Sequence, residues 1–374
     1  MHVVLSGYYG FDNVGDEAIL YSIIRAIRNI KQEVDITVLS NNPKSTMETY
    51  NVNAVNRWNF KEISRVVKKA DGLISGGGSL LQDQTGLKSI PYYTGIIKIA
   101  QWYKKPVFIY AQGMGPIRNS INKWIVKKTL NKVDQITVRD RNSKNLLASI
   151  GVTKSTSIVP DPVIGLDSSQ FKNNWIQKQH IRNPIITVSV RNWPTTIPYK
   201  EKIASCLDQL VRDGNSIIFV PMHGKYDEIA SNETAEIMTE KSYIAPYDSS
   251  IEEKISIIGQ SDLLIGMRLH SLIFSSINYT PFVAISYDPK IDAFAAICEQ
   301  SVVGHVEKNN WDDQRLLNHV NRALSNRTAQ QTTFKNKVKK SQLEAQDTSR
   351  LALQLFSAGV PPTSNDVSIS VGNK

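Results

Sequence analysis

Cysteine is scarce in this sequence. The 374 residues contain only Cys206 and Cys298, with no Cys-x-x-Cys motif and no Cys/His cluster, so neither a disulfide framework nor a structural zinc site is expected. Both cysteines lie among apolar residues of predicted helices, which indicates buried free thiols in a reducing compartment.

Targeting and membrane-spanning segments are also missing. The N terminus lacks the basic and apolar regions of a secretory signal, and no apolar run approaches the roughly 20 residues of a membrane span. We therefore expect a cytoplasmic protein, with peripheral binding to the inner membrane face left open.

Acidic residues are the minority among the charged ones. Lys and Arg number 44 against 34 Asp and Glu, which makes the formal net charge +10. This excess favours anionic partners such as phosphorylated substrates, an acidic membrane surface or nucleic acid. Candidate lysines for a membrane surface are Lys98, Lys104, Lys105, Lys123, Lys127, Lys128 and Lys132.

Short apolar strands alternate with helical patterns along most of the chain. The alternation predicts an α/β fold of two doubly wound, Rossmann-like domains that face a cleft. The predicted ranges are 1–166 for the N-terminal domain, 167–183 for a linker, 184–325 for the C-terminal domain, 326–356 for C-terminal helices and 357–374 for a flexible tail. Ligands of such folds bind beyond the carboxyl ends of the strands, so the residues there are the candidates for function.

Three strand ends in the first half carry candidate residues. The loop after the first strand lacks a Walker lysine and a dinucleotide fingerprint. Its Asp16 is expected either to cap a helix or to contact a neutral sugar, and Asn13 is a candidate substrate contact. Gly77 and Gly78 allow a ligand to approach the backbone. Arg139 is placed to clamp a carboxylate or phosphate, although pairing with an acid is the alternative.

In the second half, the segment from Arg268 to Ser271 is the most informative. Arg268 and His270 flank Leu269 where a strand ends and Ser271 opens a helix, a combination suited to a small polyanion. Lys290 follows the next strand and adds a point charge suited to phosphate, unless it is a solvated lysine at a helix start.

Arg191 and His223 follow two further strands of the second half, and each is expected to contact substrate or to have only a structural role. No Asp-x-Asp motif, acidic metal-binding pair or nucleophile–base pair accompanies the candidates, so no metal is expected. Several cations and one titratable base predict a compact anion that carries both a carboxylate and a phosphate.

Five segments together resemble the polysaccharide pyruvyl transferase family, in particular the branch that modifies the bacterial secondary cell wall polymer for S-layer anchoring. The segments are Gly7–Asp16, Gly76–Gly78, Thr137–Asp140, Asp161–Pro162 and Met267–Ser271. The resemblance implies a GT-B-like fold and transfer of pyruvate from phosphoenolpyruvate, without a cofactor. The implied acceptor is a lipid-diphosphate-linked disaccharide, whose β-N-acetylmannosamine receives a 4,6-ketal as phosphate is released.

The resemblance also assigns roles. Arg268, Leu269 and His270 are implied to contact the donor, together with Lys290 and with Arg139 or the nearby Arg141. His270 is the expected proton donor, because an imidazole has an unperturbed pKa of about 6.5. The N-terminal domain is expected to hold the acceptor and the C-terminal domain the donor.

Two other functions are weighed against this one. A GT-B nucleotide-sugar glycosyltransferase also suits the cations, but the second half shows no clear acidic residue for a ribose. A basic, non-catalytic adaptor for anionic wall polymer or nucleic acid is disfavoured, because the cations stand at strand ends rather than in one stripe with interleaved aromatics. We expect no nucleic acid partner.

Overall fold

The computed structural model describes residues 1–84, 86, 88–325 and 327–358. The predicted tail therefore lies outside the described residues from position 359 onward. No helix within the described ranges is both long enough and apolar enough to cross a membrane.

The first half of the chain builds one parallel sheet of seven strands in the order β3-β2-β1-β4-β5-β6-β7. Its strands are β1 His2–Tyr9, β2 Asp35–Ser40, β3 Asn53–Asn56, β4 Gly72–Ser75, β5 Val107–Gln112, β6 Gln135–Val138 and β7 Thr156–Ile158. The helices between them are α1 Val14–Ile30, α2 Pro43–Tyr50, α3 Phe60–Lys69, α4 Ser89–Trp102, α5 Ser120–Leu130 and α6 Arg141–Ser149. Strands such as β5 are buried along their whole length, as expected where helices cover both faces of a sheet.

The second half builds a parallel sheet of six strands in the order β10-β9-β8-β11-β12-β13. Its strands are β8 Ile185–Ser189, β9 Ser216–Phe219, β10 Ser242–Ile244, β11 Leu263–Gly266, β12 Phe282–Ser286 and β13 Ser301–His305. The helices from the linker onward are α7 Trp175–Lys178, α8 Tyr199–Arg212, α9 Gly224–Ile237, α10 Ile251–Gly259, α11 Leu269–Ile277, α12 Pro289–Cys298, α13 Asp313–Ser325 and α14 Arg327–Ala358. Both sheets are doubly wound, which confirms the predicted α/β class.

Three elements were not predicted from the sequence. They are α2, β3 and β13. The strand β3 reads Asn-Ala-Val-Asn and buries only Val55, because it lies at the edge of its sheet. The strand β13 is likewise an edge strand, and a register shift interrupts its pairing with β12. Edge strands carry weak apolar patterns, which explains why they escape a search for buried runs.

Contacts between residues divide the chain into two compact units that are not continuous in sequence. Unit 1 comprises Met1–Phe11, Ile19–Pro162 and the residues from Glu344 onward, and unit 2 comprises Asp12–Ala18 and Val163–Leu343. The short segment Asp12–Ala18, which contains the first turn of α1, thus groups with the second sheet. The predicted domain ranges themselves stay predictions.

The end of α14 completes the core of unit 1. The hydroxyl groups of Tyr110 and Ser349 lie 2.7 Å apart, and both residues are fully buried. The ring of Phe356 packs so tightly on Gly72 that a Cβ there would lie 2.2 Å from the ring. Side chains of α14 therefore pack against β4 and β5, which lie more than 200 residues earlier in the sequence.

The two cysteines are buried free thiols, as the sequence predicts. Burial raises the pKa of Cys206 to about 12 and that of Cys298 to about 11. Neither thiol is ionised near neutral pH, so neither is activated for nucleophilic chemistry.

Candidate active site

The candidate residues of unit 2 follow adjacent strands of its sheet. Arg191 follows β8, His223 follows β9, and the Arg268–His270 segment follows β11. The chain order reverses between β8 and β11, and ligands of doubly wound sheets bind at such a switch point. Lys290 comes after β12, the next strand along.

Arg268 is held by a carboxylate that the sequence analysis missed. Its Nε and Nη2 donate to Asp227 Oδ2 and Oδ1 at 2.9 and 2.5 Å. Asp227 is only 1% exposed and also accepts the backbone N–H of Met222. Burial alone lowers the pKa of Arg268, but the charge and hydrogen bonds of Asp227 outweigh it, so the pKa is raised.

A buried lysine adds a third charged group to this pair. Lys254 is fully buried, and its Nζ donates to the carbonyl oxygens of Pro246 and Tyr247 at 3.2 and 3.0 Å. Burial lowers the pKa of Lys254 to about 8, although Asp227 is among the acids whose charge opposes this change. The charge of Asp227 therefore acts on two basic groups of unit 2, on Arg268 by direct contact and on Lys254 through its field.

Two of the predicted cations have acidic neighbours. Arg268 is paired with Asp227, and Lys290 Nζ lies 3.1 Å from Asp288 Oδ2 at the start of α12. Each positive charge has an acidic neighbour, so these two side chains supply directed hydrogen-bond donors rather than a strong net field.

Arg191 is the candidate cation that rests on aromatic rings. Its guanidinium carbon lies 4.4 Å from the ring centre of Tyr287 and 5.1 Å from that of Trp193. The guanidinium is half-buried and forms no ion pair within the described part of the chain. Stacking holds the plane of Arg191 in place, its Nε donates to the Asn192 carbonyl at 3.4 Å, and its terminal N–H groups lie at the edge of the stack.

His270 packs against the backbone of the segment Asp12–Ala18 in unit 2. A Cβ built on Gly15 would lie 2.3 Å from His270 Nδ1, closer than real atoms approach. Only glycine therefore permits the imidazole to lie where it does. The local sequence places Gly15 in a loop, but it carries no signal for the distant histidine that packs on it.

Asn13, rather than Asp16, takes the capping position at this helix start. The helix α1 begins at Val14, so Asp16 lies inside its first turn. Asn13 Oδ1 accepts the N–H of Gly15 at 3.2 Å, and Asn13 Nδ2 donates to Asp16 Oδ2 at 2.5 Å. The expected capping by Asp16 is thus wrong, because the helix starts earlier than the sequence indicated.

Leu269 and Ser271 are buried and were predicted to bind substrate. Ser271 is fully buried, and its hydroxyl donates to the Arg268 carbonyl at 2.7 Å. It lies two residues inside α11, which begins at Leu269, so the expectation that it opens the helix is wrong. We interpret both residues as supports that fix the backbone on either side of His270.

His223 is a half-buried imidazole at the N-terminal end of α9. Burial lowers its pKa, and the positive charge of Arg268 lowers it further. His223 is therefore neutral at neutral pH, when its ring nitrogens offer one donor and one acceptor.

Unit 1 holds Arg139 among polar groups of its own sheet edge. Arg139 Nη2 donates to Ser79 Oγ at 3.0 Å, and its Nη1 lies 3.5 Å from Asp161. Asp140 caps α6, with its carboxylate accepting the N–H of Ser143. Arg141 is the first residue of that helix and is exposed. The expected pairing of Arg139 with an acid is thus present.

The glycines after β4 have structural roles within unit 1. A Cβ on Gly77 would lie 2.7 Å from Ile19 Cγ2, so this position accommodates the packing of α1. Gly78 has a φ of 77°, a conformation that favours glycine, and its carbonyl accepts the N–H of Gly113. Contact with a ligand at either glycine stays a prediction.

Comparison with known families identifies the chemistry. A family model described as polysaccharide pyruvyl transferase matches residues 13–289, which include most of the strand ends described above. The chain belongs to the polysaccharide pyruvyl transferase family. It is therefore a transferase that acts in polysaccharide biosynthesis.

One curated relative of this pyruvyl transferase is the amylovoran biosynthesis protein AmsJ of Erwinia amylovora. The two are 22% identical over 356 residues, which cover 78% of this chain and 84% of AmsJ. The name of AmsJ places that protein in the biosynthesis of amylovoran.

Solved structures share the fold of the pyruvyl transferase at low identity. Anabaena HepE in complex with UDP-glucose is 13% identical with a TM-score of 0.64, covering 96% of this chain and 99% of HepE. The UDP-GlcNAc 2-epimerase of Neisseria meningitidis bound to UDP-GlcNAc is 11% identical with a TM-score of 0.63, covering 96% and 100%. These likenesses confirm the predicted GT-B-like fold class.

Within the described ranges, no group of three or more His, Cys, Asp or Glu side chains is placed to hold a metal ion.

Proposed function

We propose that this pyruvyl transferase moves pyruvate from phosphoenolpyruvate to a β-N-acetylmannosamine residue of a lipid-diphosphate-linked disaccharide. The product is a 4,6-ketal on a precursor of the secondary cell wall polymer used for S-layer anchoring. The observation that carries the proposal is the Arg268–His270 segment at the switch point of the second sheet. It joins a fixed guanidinium and an imidazole within three residues.

Phosphoenolpyruvate matches the chemistry of this site. Asp227 engages Nε and Nη2 of Arg268, and the Tyr287 hydroxyl is a further hydrogen-bond partner of this guanidinium. We assign an N–H of Arg268 that Asp227 does not engage to the donor carboxylate. Arg191, which stacks on Tyr287, is assigned to the phosphate together with Lys290. Hydrogen bonds to charged groups are the stronger ones, and a fixed guanidinium loses little entropy on binding.

His270 is assigned as the general acid. It transfers a proton to the methylene carbon of phosphoenolpyruvate, which makes C2 electrophilic. One sugar hydroxyl then adds to C2 and its proton returns to the imidazole. Phosphate leaves from the tetrahedral adduct, and the second hydroxyl closes the ketal as its proton passes to the phosphate. Arg268 and Arg191 stabilise the negative charge that accumulates on the departing group.

Arg139 is assigned to the same reaction from unit 1, with Arg141 as the alternative. Asn13, His223 and the Gly77–Gly78 backbone remain proposed substrate contacts. His223 is neutral, which suits hydrogen bonding to an uncharged sugar hydroxyl better than to a phosphate.

The direct test is turnover with defined substrates. The protein is incubated with phosphoenolpyruvate and a synthetic lipid-linked disaccharide that ends in β-N-acetylmannosamine, without added metal. We expect release of inorganic phosphate and a pyruvyl mass increment on the acceptor. The variant His270→Gln should abolish both, whereas His319→Gln, which alters a half-buried histidine of α13, should retain them.

A second candidate is a nucleotide-sugar glycosyltransferase. It is favoured by the solved structure of HepE with UDP-glucose, which shares the fold. Hydrolysis or transfer of UDP-sugars by the wild-type protein, with phosphoenolpyruvate left unconsumed, would decide for this candidate and against pyruvyl transfer.

We also propose that the protein binds the inner membrane face through α4 and α5. Trp102 at the end of α4 is 82% exposed, and Ile121 and Trp124 of α5 are exposed as well. The two helices touch, since Gln101 Nε2 donates to the Thr129 carbonyl at 3.2 Å. Lysines surround them: Lys98, Lys104, Lys105, Lys123, Lys127, Lys128 and Lys132.

Tryptophan and lysine on one surface suit an anionic interface. Indole rings prefer the headgroup region, and each nearby lysine contributes about 1 kcal/mol toward anionic lipid. Flotation with phosphatidylserine-containing vesicles should recover the wild type at low salt and lose it at high salt. Replacing both Trp102 and Trp124 by Ser should reduce recovery even at low salt. Equal recovery with neutral vesicles would contradict the charge contribution.

A further inference from the structure

Unit 1 displays a group of aromatic rings at the carboxyl ends of β1 and β3, the two strands on either side of β2. Tyr8 lies at the end of β1, and Trp58 and Phe60 follow β3. Trp58 is 57% exposed, Phe60 49% and Tyr8 39%. We call these three rings, with Phe11 beneath Tyr8, the aromatic platform. Large apolar side chains that are exposed together mark a binding surface more often than single ones do.

A buried arginine fixes the platform from below. Arg57 is 3% exposed, and its guanidinium carbon lies 5.0 Å from the ring centre of Phe11 and 5.3 Å from that of Trp58. Its Nη1 and Nη2 donate to the Gly7 carbonyl and the Tyr93 hydroxyl, both at 3.2 Å. A desolvated cation held by ring faces and two hydrogen bonds keeps these rings in fixed orientations.

The rings themselves are ordered as flat surfaces. Tyr8 stacks on Phe11 with centroids 4.0 Å apart and an interplanar angle of 6°. The ring centroids of Trp58 and Tyr92 lie 5.2 Å apart, and those of Phe60 and Tyr92 lie 6.2 Å apart. The platform is therefore preorganised, which lowers the entropy lost when a ligand binds.

Amide groups border Trp58. Asn41 Oδ1 accepts the indole N–H at 3.4 Å, and Asn56 Oδ1 accepts the backbone N–H of Trp58 at 2.9 Å. Both amide oxygens are thus engaged by Trp58, and the NH₂ groups of these two exposed residues are the donors that a ligand can meet. Flat aromatic faces bordered by neutral amide donors suit a pyranose ring, whose C–H face packs on the π system while its hydroxyls accept hydrogen bonds.

We propose that the aromatic platform binds sugar rings of the acceptor glycan, with Trp58 and Tyr8 as the principal stacking residues. This deepens the proposed function and rests on it for the identity of the sugar. It assigns acceptor recognition to neutral stacking in unit 1, whereas the donor is recognised by charged side chains such as Arg268 and Lys290.

The test measures binding without turnover. The probe is the methyl glycoside of N-acetylmannosamine β-linked to N-acetylglucosamine, observed by saturation-transfer NMR in the absence of phosphoenolpyruvate. We expect saturation of ring C–H protons by the wild type and weaker affinity, by about tenfold, in Trp58→Ala. Trp58→Tyr should retain most of the affinity, because it keeps an aromatic face.

A control variant is available in the same unit. Ile30→Ala removes a comparably exposed apolar side chain at the C-terminal end of α1, outside the aromatic platform. This variant should bind the disaccharide like the wild type. Tyr8→Ala serves as a second platform variant, and thermal melting checks that each variant is folded. No saturation of the disaccharide by the wild type, or wild-type affinity in both Trp58→Ala and Tyr8→Ala, would overturn the proposal.

The two proposals fail in different ways. If the disaccharide binds and Trp58→Ala lowers its affinity, but phosphoenolpyruvate is never consumed, the platform proposal is supported and pyruvyl transfer is contradicted. If turnover proceeds and Trp58→Ala leaves the KM for the acceptor unchanged, pyruvyl transfer is supported and the platform proposal is contradicted.

Discussion

Replacing Asp227 with Asn tests whether the interior of unit 2 depends on a charge pair. The amide has nearly the shape of the carboxylate and can still accept the N–H of Met222, which Asp227 accepts at 3.2 Å. What it removes is the negative charge opposite Arg268. Breaking a buried pair on one side costs about 3–5 kcal/mol, because the other charge stays buried without compensation.

The expected loss lies at the lower end of that range. Asp227 is 1% exposed, but the Arg268 side chain is 17% exposed and keeps some solvation. We therefore expect Asp227→Asn to lower the free energy of unfolding of unit 2 by about 3 kcal/mol, as measured by urea titration and by hydrogen exchange in α9. The matched control is Glu233→Gln, which breaks the exposed pair with Lys200 and should cost less than about 1 kcal/mol.

A double variant separates charge from packing. Asp227→Asn combined with Arg268→Gln leaves no uncompensated charge, so it should be more stable than the sum of the two single losses predicts. The reasoning is refuted if Asp227→Asn costs no more than Glu233→Gln, or if the two single losses simply add. In the turnover assay Asp227→Asn should lower kcat more than it raises KM for phosphoenolpyruvate, since the guanidinium keeps its charge but loses its orientation.

Three further outcomes follow from the described contacts. Gly15→Ala should displace the His270 ring and lower kcat strongly in a folded protein, whereas Gly95→Ala, with open space around it in α4, should leave turnover unchanged and stabilise the helix slightly. Lys254 bears a folded-state pKa of about 8 against an ordinary 10.5, so its burial costs stability below pH 8. In urea titrations, the free energy of unfolding of the wild type should rise by on the order of 3 kcal/mol relative to that of Lys254→Met as the pH rises from 8 to above 10. A difference between the two proteins that does not change with pH would contradict this. Both thiols are buried with raised pKa values, so a thiol reagent at pH 8 should label neither in the folded protein and both in denaturant.

Much of the fold was predictable because most elements satisfy local rules. The sequence pattern predicts a strand over Asp35–Ser40 and a helix over Tyr199–Arg212, and the structure has both with these bounds. Continuous burial of a strand and amphipathic spacing of a helix both leave strong patterns. The edge strand β3 does not, because its polar residues face solvent. Strand order then follows from general rules of doubly wound sheets.

Only those site residues that lie at the end of a single strand could be predicted. Contacts between residues distant in sequence could not. Arg268 and His270 were predicted because they close a strand and open a helix. Asp227 was not, since its partner lies 41 residues later in the chain and nothing local distinguishes it from an ordinary helix-start acid. Gly15 likewise has an unremarkable local pattern. Glycine is required there because the ring of His270, far away in the sequence, packs against it.

The contact of Ser349 with Tyr110 has a consequence for synthesis on the ribosome. Domains usually fold in the order in which they emerge, from the N terminus onward. Here the first sheet cannot close its core until Ser349 and Phe356 arrive, by which time the second sheet has been made in full. The N-terminal sheet is therefore the last part to finish, and a chain cut short near its end loses the packing of the residues translated first.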